Sequence, residues 1–263
     1  MVNGTCTIRV SVAMVTYNGA SYLRQQLDSI LPQLGEQDEL VISDDGSKDG
    51  TCSILQEYQD REAKIRILQG PRQGVKKNVQ HVLQNVRGRY IFLSDQDDIW
   101  LPEKLKRVLQ EFQNQQVSIV IHDAQVCAGE DCSTTLMGSF FAFRGAGAGV
   151  LKNMIKNTYI GCCMAFRREL LEIVCPIPNQ IEMHDQWIGI LGDYFVGKSC
   201  FLKEPLLLYR RHEENQSAMT HYGIGKMLRN RLVFFFFFWK RVSCIYRKRV
   251  CSLFRFRKKT VDK

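Results

Sequence analysis

Asp95-Gln96-Asp97-Asp98 sets three carboxylates within four residues, directly behind the apolar run Tyr90-Ile91-Phe92-Leu93-Ser94. That run is aromatic or branched and is bounded by Gly88, which predicts a buried strand. Acids at a strand's end face the crevice where open α/β sheets bind ligands. Three of them packed together repel, so they either stand in water or hold a cation. Hard divalent ions such as Mg²⁺ or Mn²⁺ take oxygen ligands and share them with substrate phosphates. The pattern predicts a metal site for a diphosphate-bearing substrate. A solvated helix N-terminus ahead of Pro102 would explain one acid, Asp98, but not three.

Three further clusters carry chemistry. Asp44-Asp45-Gly46-Ser47 follows a short apolar run, and a carboxylate there can accept from a ribose hydroxyl or a base N–H; Asp-Gly is equally a turn dipeptide. In His184-Asp185-Gln186-Trp187, an acid beside a bulky aromatic is desolvated, which lifts its pKa toward a general base's range. Asp185 fits the N-cap of a following helix equally well. In Tyr209-Arg210-Arg211-His212, arginine suits diphosphate oxygens and a neutral histidine can complete a metal shell. A solvated charged loop is the plainer reading of that stretch.

The elements that would position these residues alternate. Ile8 to Val15 predicts a strand, broken at Asn18-Gly19. Ser21 then N-caps a helix with Leu23, Leu27, Ile30 and Leu31 on one face. Strands are expected at Glu39 to Ile42, Ile65 to Leu68, from Tyr90, and at Val117 to His122. Helices are expected at Thr51 to Tyr58, Val75 to Val86 and Pro102 to Gln113. Such alternation predicts a mostly parallel, Rossmann-like α/β sheet flanked by helices. The later part is less regular: a strand at Cys162 to Phe166, a buried helix at Ile188 to Phe195, a strand at Leu206 to Tyr209, and a glycine-rich loop from Gly145 to Gly149.

The 263 residues are 45% hydrophobic and 24% charged, ordinary for a globular protein. The formal charge of +9 is uneven, because Lys226 to Lys263 holds 13 Lys and Arg against one acid. Within it lies Val233-Phe234-Phe235-Phe236-Phe237-Phe238-Trp239, shorter than the roughly 20 residues of a bilayer span. Aromatics among basic residues suit a helix lying on an anionic membrane surface. Five successive phenylalanines cover every face of a helix, which also fits packing on the main domain and disfavours nucleic acid. No signal-peptide pattern opens the chain, so all ten cysteines are expected to be reduced thiols, mostly buried.

Taken in order, Thr16-Tyr17-Asn18, Asp44-Asp45-Gly46-Ser47, Asp95-Gln96-Asp97-Asp98, His184-Asp185 and Tyr209-Arg210-x-His212 resemble the family 2 glycosyltransferases of the GT-A fold. Ser94 to Trp100 and His184-Asp185-x-Trp187 are similar to the bacterial rhamnosyltransferase-like branch, which builds cell-surface polysaccharides. The resemblance runs from about Ile8 to Ser217. It implies a GT-A domain over residues 1–222, with a nucleotide-binding half to about 125 and an acceptor-binding half from about 126. Residues 223–263 would be a basic amphipathic helical extension. It also implies a nucleotide-diphosphate sugar donor, a divalent cation (Mg or Mn) and inverting transfer to a glycan or lipid-linked acceptor. By the same likeness Thr16, Tyr17, Asn18, Asp44 and Asp45 would meet the nucleoside. Asp95, Asp97 and His212 would meet the metal, with Asp98 assisting. Arg210 and His212 would lie near the diphosphate, and Asp185 would be the catalytic base. The expected location is cytoplasmic, peripheral on the inner face of the membrane. A non-catalytic membrane scaffold with this fold is the alternative, disfavoured by the intact acids. The turn after the first strand lacks the glycine runs of nucleotidyltransferases and dinucleotide-binding oxidoreductases.

Overall fold

The structure, a computed structural model, describes residues 8–197, 199–212 and 223–261. Its first half is β1 (Val10–Thr16), α1 (Ala20–Ile30), β2 (Asp38–Asp44), α2 (Thr51–Arg61), β3 (Ile65–Gln69), α3 (Val75–Asn85) and β4 (Tyr90–Ser94). The second half is β5 (Ile99–Trp100), α4 (Lys104–Glu111), β6 (Ile119–Ala128), β7 (Thr134–Met137), α5 (Phe140–Arg144), α6 (Val150–Ile155), β8 (Met164–Arg167), α7 (Leu171–Val174), α8 (His184–Phe195) and β9 (Ser199–Arg211), followed by α9 (Ile224–Val261).

The alternation read from the sequence is present, and the apolar face of α1 packs except for Leu31, which falls in the 3₁₀ turn after the helix and is only partly covered. Leu23, Leu27 and Ile30 of α1 are fully buried, as are Val10, Val12 and Met14 of β1. The strands form one sheet in the order β3-β2-β1-β4-β8-β6-β9-β5, with β7 attached to β6. From β3 to β4 all pairings are parallel. Beyond β4 the sheet is mixed, because β8 enters antiparallel between β4 and β6 while β9 runs parallel to β6. The parallel expectation holds for the first four strands and for the β6–β9 pair, and the remaining pairings are antiparallel. The division expected near residue 125 falls inside β6, so both halves share this sheet.

Parallel pairing brings three strand ends to one edge. Thr16 lies opposite Asp44, and Met14 opposite Ser94. Every acid of the first two clusters therefore leaves the sheet on that edge. At the other edge Asp38 and Glu39 are also buried, but arginines answer them: Arg9 with Asp38 at 2.6 Å and Arg66 with Glu39 at 2.8 Å. Those acids hold the fold together.

Some expectations fail in detail. Ser21 lies inside α1, which begins at Ala20 behind Gly19. A neighbouring loop replaces the local cap: Gly19 N–H donates to Thr51 Oγ1 at 2.8 Å and Ala20 N–H to Asp49 Oδ2 at 3.0 Å. Cys162 and Cys163 form a 3₁₀ turn ahead of β8. Nor are all cysteines reduced. Cys127 and Cys132 form a disulfide, because the turn after β6 returns the chain to a Cα separation of 5.1 Å. Cys162 and Cys163 are buried thiols, whereas Cys52 is exposed.

The chain forms two units, Met1–Ile177 with Met183–Met219, and Pro178–Glu182 with Thr220–Lys263. In the second, Asn230 Nδ2 donates to Glu182 Oε2 at 2.7 Å. Among the described residues, no helix is long and apolar enough to cross a membrane.

Candidate active site

The loop after β1 is sewn to the loop after β2. Asn18, at φ +48°, donates its N–H to Ser47 Oγ and accepts from Lys48 N–H with its side chain. Asp44 shapes the turn: Oδ1 accepts from the N–H groups of Gly46 and Ser47, and Oδ2 from the hydroxyls of Thr16 and Ser47. Asp45 accepts from the N–H of Arg72 and of Gly74, each at 2.7 Å, which carries the loop before α3 into the same edge. Thr16, Asn18, Asp44 and Asp45 thus come together, and Tyr17 stands beside them with half its surface exposed.

The acidic loop is held from behind by α1. Gln26, fully buried, donates to Ser94 Oγ and to the Asp95 carbonyl; Ser29 Oγ accepts from Trp100 N–H. Gln96 clasps the first loop through both ends of its amide. Its Oε1 accepts from Tyr17 N–H at 2.8 Å, and its Nε2 donates to the Tyr17 carbonyl at 3.0 Å. The approach is so close that a Cβ on Gly19 would meet the Gln96 amide, so a side chain at residue 19 would displace the clasp. None of Tyr22, Gln25, Gln26, Gln96 or Lys104 stands out in the sequence. Polar residues on a helix read as a wet face, and their partners here come from distant segments.

The three acids of this loop separate into distinct environments. Asp97 Oδ2 lies 2.8 Å from His212 Nε2, whose ring sits 4.8 Å from Tyr22. Asp95, Asp98 and Cys162 bring a carboxylate oxygen, a second and a thiol within 4.8 Å of one another. Asp95 is half-buried; desolvation, then the charges of Asp97 and Asp185, push its carboxyl up to about 7. Asp98 is buried, and desolvation, then Asp97 and Asp95, raise its carboxyl well above the usual carboxylate range. Its Oδ2 has no hydrogen-bond partner. Beneath them Lys104 is buried, donating to the Cys162 carbonyl at 3.0 Å and standing 4.0 Å over the Trp100 ring. Burial lowers it to about 8.

Arg210, expected near a diphosphate, makes its bonds within the protein. It is 1% exposed and braces the acidic loop. Nε donates to the Asp97 carbonyl at 2.8 Å, Nη1 to the carbonyls of Gly129 and Glu130, and Nη2 to Gln25 Oε1 at 2.6 Å. The Arg210 backbone N–H reaches Asp98 Oδ1 at 3.2 Å. A rigid fork with many donors suits this bracing role.

Asp185 lies in the first turn of α8, with Met183 at the N-cap, so it does not cap the helix. It is 4% exposed, and burial raises its pKa against the lowering effect of His184. Asn157 Nδ2 and Gln186 N–H both donate to Oδ1, at 3.0 and 2.6 Å. Oδ2 accepts nothing among the described residues. Asp185 and Asp95 line one narrow cavity of about 70 Å³, with His184, Arg144, Tyr209 and Arg211. A larger open groove of about 820 Å³, between α1 and α4, holds none of Asp95, Asp97, Asp98 or Asp185. Volume alone does not find the chemistry here.

A mixed sheet whose first four strands are parallel, with acids at their ends and helices on its flanks, is the GT-A fold. Solved structures agree on the fold. TarS of S. aureus in complex with UDP-GlcNAc superposes with a TM-score of 0.65 at 17% identity, covering 86% of this chain and 66% of that one. The mannosyltransferase PcManGT of Pyrobaculum calidifontis, in complex with GDP-Man and Mn²⁺, gives 0.56 at 20% identity, covering 75% and 55%.

Residues 11–174 match the family model described as glycosyl transferase family 2, and the chain belongs to that family. An uncharacterised glycosyltransferase of Nostoc sp. is 30% identical over 79% of this chain and 66% of its own length. The dTDP-rhamnosyl transferase RfbG of Shigella flexneri is 29% identical over 77% of this chain and 73% of its own.

Proposed function

We propose that the chain is an inverting, metal-assisted glycosyltransferase that moves a sugar from a nucleotide-diphosphate donor to a hydroxyl of a glycan or lipid-linked acceptor in cell-surface polysaccharide synthesis. The observation that carries this reading is the shared cavity of Asp95 and Asp185, residues from distant parts of the chain. A dTDP- or UDP-sugar, with rhamnose the leading candidate, is supported by the Shigella relative's name.

The donor set suits a hard divalent cation. Asp95, Asp97 and Asp98 offer oxygens at a strand end, Asp98 keeps a buried oxygen without a partner, and His212 touches Asp97. Asp95, Asp97 and His212 would hold the ion, which would neutralise charge on a departing diphosphate. The loop of Thr16, Tyr17 and Asn18, with Asp44 and Asp45, would receive the nucleoside. Asp185 Oδ2 would take the proton of the acceptor hydroxyl while Asn157 and Gln186 N–H fix Oδ1. The acceptor oxygen forms its bond to the anomeric carbon as the bond to the diphosphate breaks, opposite the leaving group. No protein nucleophile is required. The stretch from Gly145 to Gly149 is tied to α8 through Gly149 N–H and Asp193 at 2.8 Å, and closing it would exclude water.

The test is nucleoside-diphosphate release from a panel of UDP-, dTDP- and GDP-sugars with Mn²⁺. One donor should be active in the wild type. Asp185→Asn should lose about 10²- to 10⁴-fold in kcat while still folding and binding donor. Silence with every donor and metal, or an active Asp185→Asn enzyme, would remove the assignment.

A further inference from the structure

The cavity holds a cation that the mechanism above does not use. Arg144 lines it together with Asp95 and Asp185, and its Nε is buried without a hydrogen-bond partner. No carboxylate among the described residues lies within ion-pair distance of it. Its position is fixed. The short helix α5 is pinned to β6 because Asp123 accepts from the Phe141 N–H at 2.8 Å and from the Ser139 hydroxyl, and Ser139 Oγ caps Ala142 N–H. Gly145, at φ +65°, ends the helix directly after Arg144.

Beside the guanidinium stands an aromatic wall. Tyr209 stacks on Phe140 at 5.3 Å, and Phe140 on Phe143 at 6.1 Å; all three rings line the cavity, and Phe143 is 50% exposed. Arg144 lies 5.5 Å from the Phe140 ring centre. A flat apolar surface accepts the C–H face of a sugar ring, and the guanidinium fork matches a phosphate or carboxylate. The donor's diphosphate has its own acidic and histidine-bearing loop, whereas Arg144 acts on the electrostatics of Asp185.

We propose that Arg144, Phe140 and Phe143 form an acceptor subsite for a sugar bearing an oxyanion, phosphate or carboxylate, with Arg144 as the anion-binding residue. This rests on the assignment of Asp185 as base, because the acceptor hydroxyl must lie at Asp185 while its anion lies at Arg144.

The experiment is calorimetric titration of the full chain, with Mn²⁺ and at constant ionic strength, using glucose 1-phosphate, glucuronate and methyl glucoside. One anionic sugar should bind at least about tenfold more tightly than the neutral one, and which of the two does so names the anion. Arg144→Ala should erase the preference with an unchanged melting temperature. Arg144→Lys should keep part of it, since a point charge lacks the fork. Binding of nucleoside diphosphate with Mn²⁺ should be the same in all three proteins. Equal affinity for the three sugars, a preference that survives in Arg144→Ala, or weakened nucleoside-diphosphate binding in that variant would each overturn the subsite. Failure of the glycosyltransferase reading is read separately, from nucleoside-diphosphate binding that ignores Asp97→Asn.

Discussion

Asp185 differs from an exposed aspartate in one measurable way. Burial stabilises its neutral form and raises its pKa, and His184 only partly offsets this. A base works deprotonated, so acidification should silence the enzyme at a pH above the usual carboxylate range of about 4. A pH profile of kcat checks this: the rate should rise with pH through an acid limb displaced upward. A flat profile down to about pH 4 would contradict the role. The Asp-rich cluster and Asp185 were legible in the sequence because strand-end acids and an acid beside tryptophan are local signals. The bracing role of Arg210 was not, since its acceptors are carbonyls of Asp97, Gly129 and Glu130, which have no sequence signature.

Between elements, the clasp of Gln96 on Tyr17 joins the loop after β1 to the loop after β4. Two hydrogen bonds at roughly 1 kcal/mol each hold the first loop in place. Gln96→Ala should therefore weaken nucleoside-diphosphate binding about tenfold and speed hydrogen exchange at the Tyr17 amide. An affinity within about twofold of wild type, with unchanged exchange, would make the clasp incidental. Hydrophobic periodicity revealed α1, α2 and α3 because each buries one stripe. It did not reveal that α1 also turns Gln25, Gln26 and Ser29 toward the acidic loop, for polar inner positions look solvated until the fold closes. The antiparallel entry of β8 was hidden for a similar reason: strand direction depends on which partners are already paired.

At the scale of the molecule, the basic tail belongs to a unit of its own. α9 exposes Leu228, Leu232, Phe235, Phe236 and Trp239 along a helix rich in Lys and Arg. If it meets the membrane, the chain should sediment with vesicles containing anionic lipid and not with neutral ones. Replacing Phe235 and Phe236 with serine should weaken that binding, while binding that ignores lipid charge would argue against the electrostatic part. The acids at the sheet's edge decide whether the chain is an enzyme of this kind. Thermal melting with Mn²⁺ and nucleoside diphosphates, alone and together, tests this most directly. A ligand at about a hundred times its Kd adds about 2.7 kcal/mol, a rise of roughly 5 to 10 °C for a chain of this size. That rise should come only when metal and one nucleoside diphosphate are both present, and should be lost in Asp97→Asn without a change in the unliganded melting temperature. Equal stabilisation by the nucleotide without metal, or in Asp97→Asn, would contradict this.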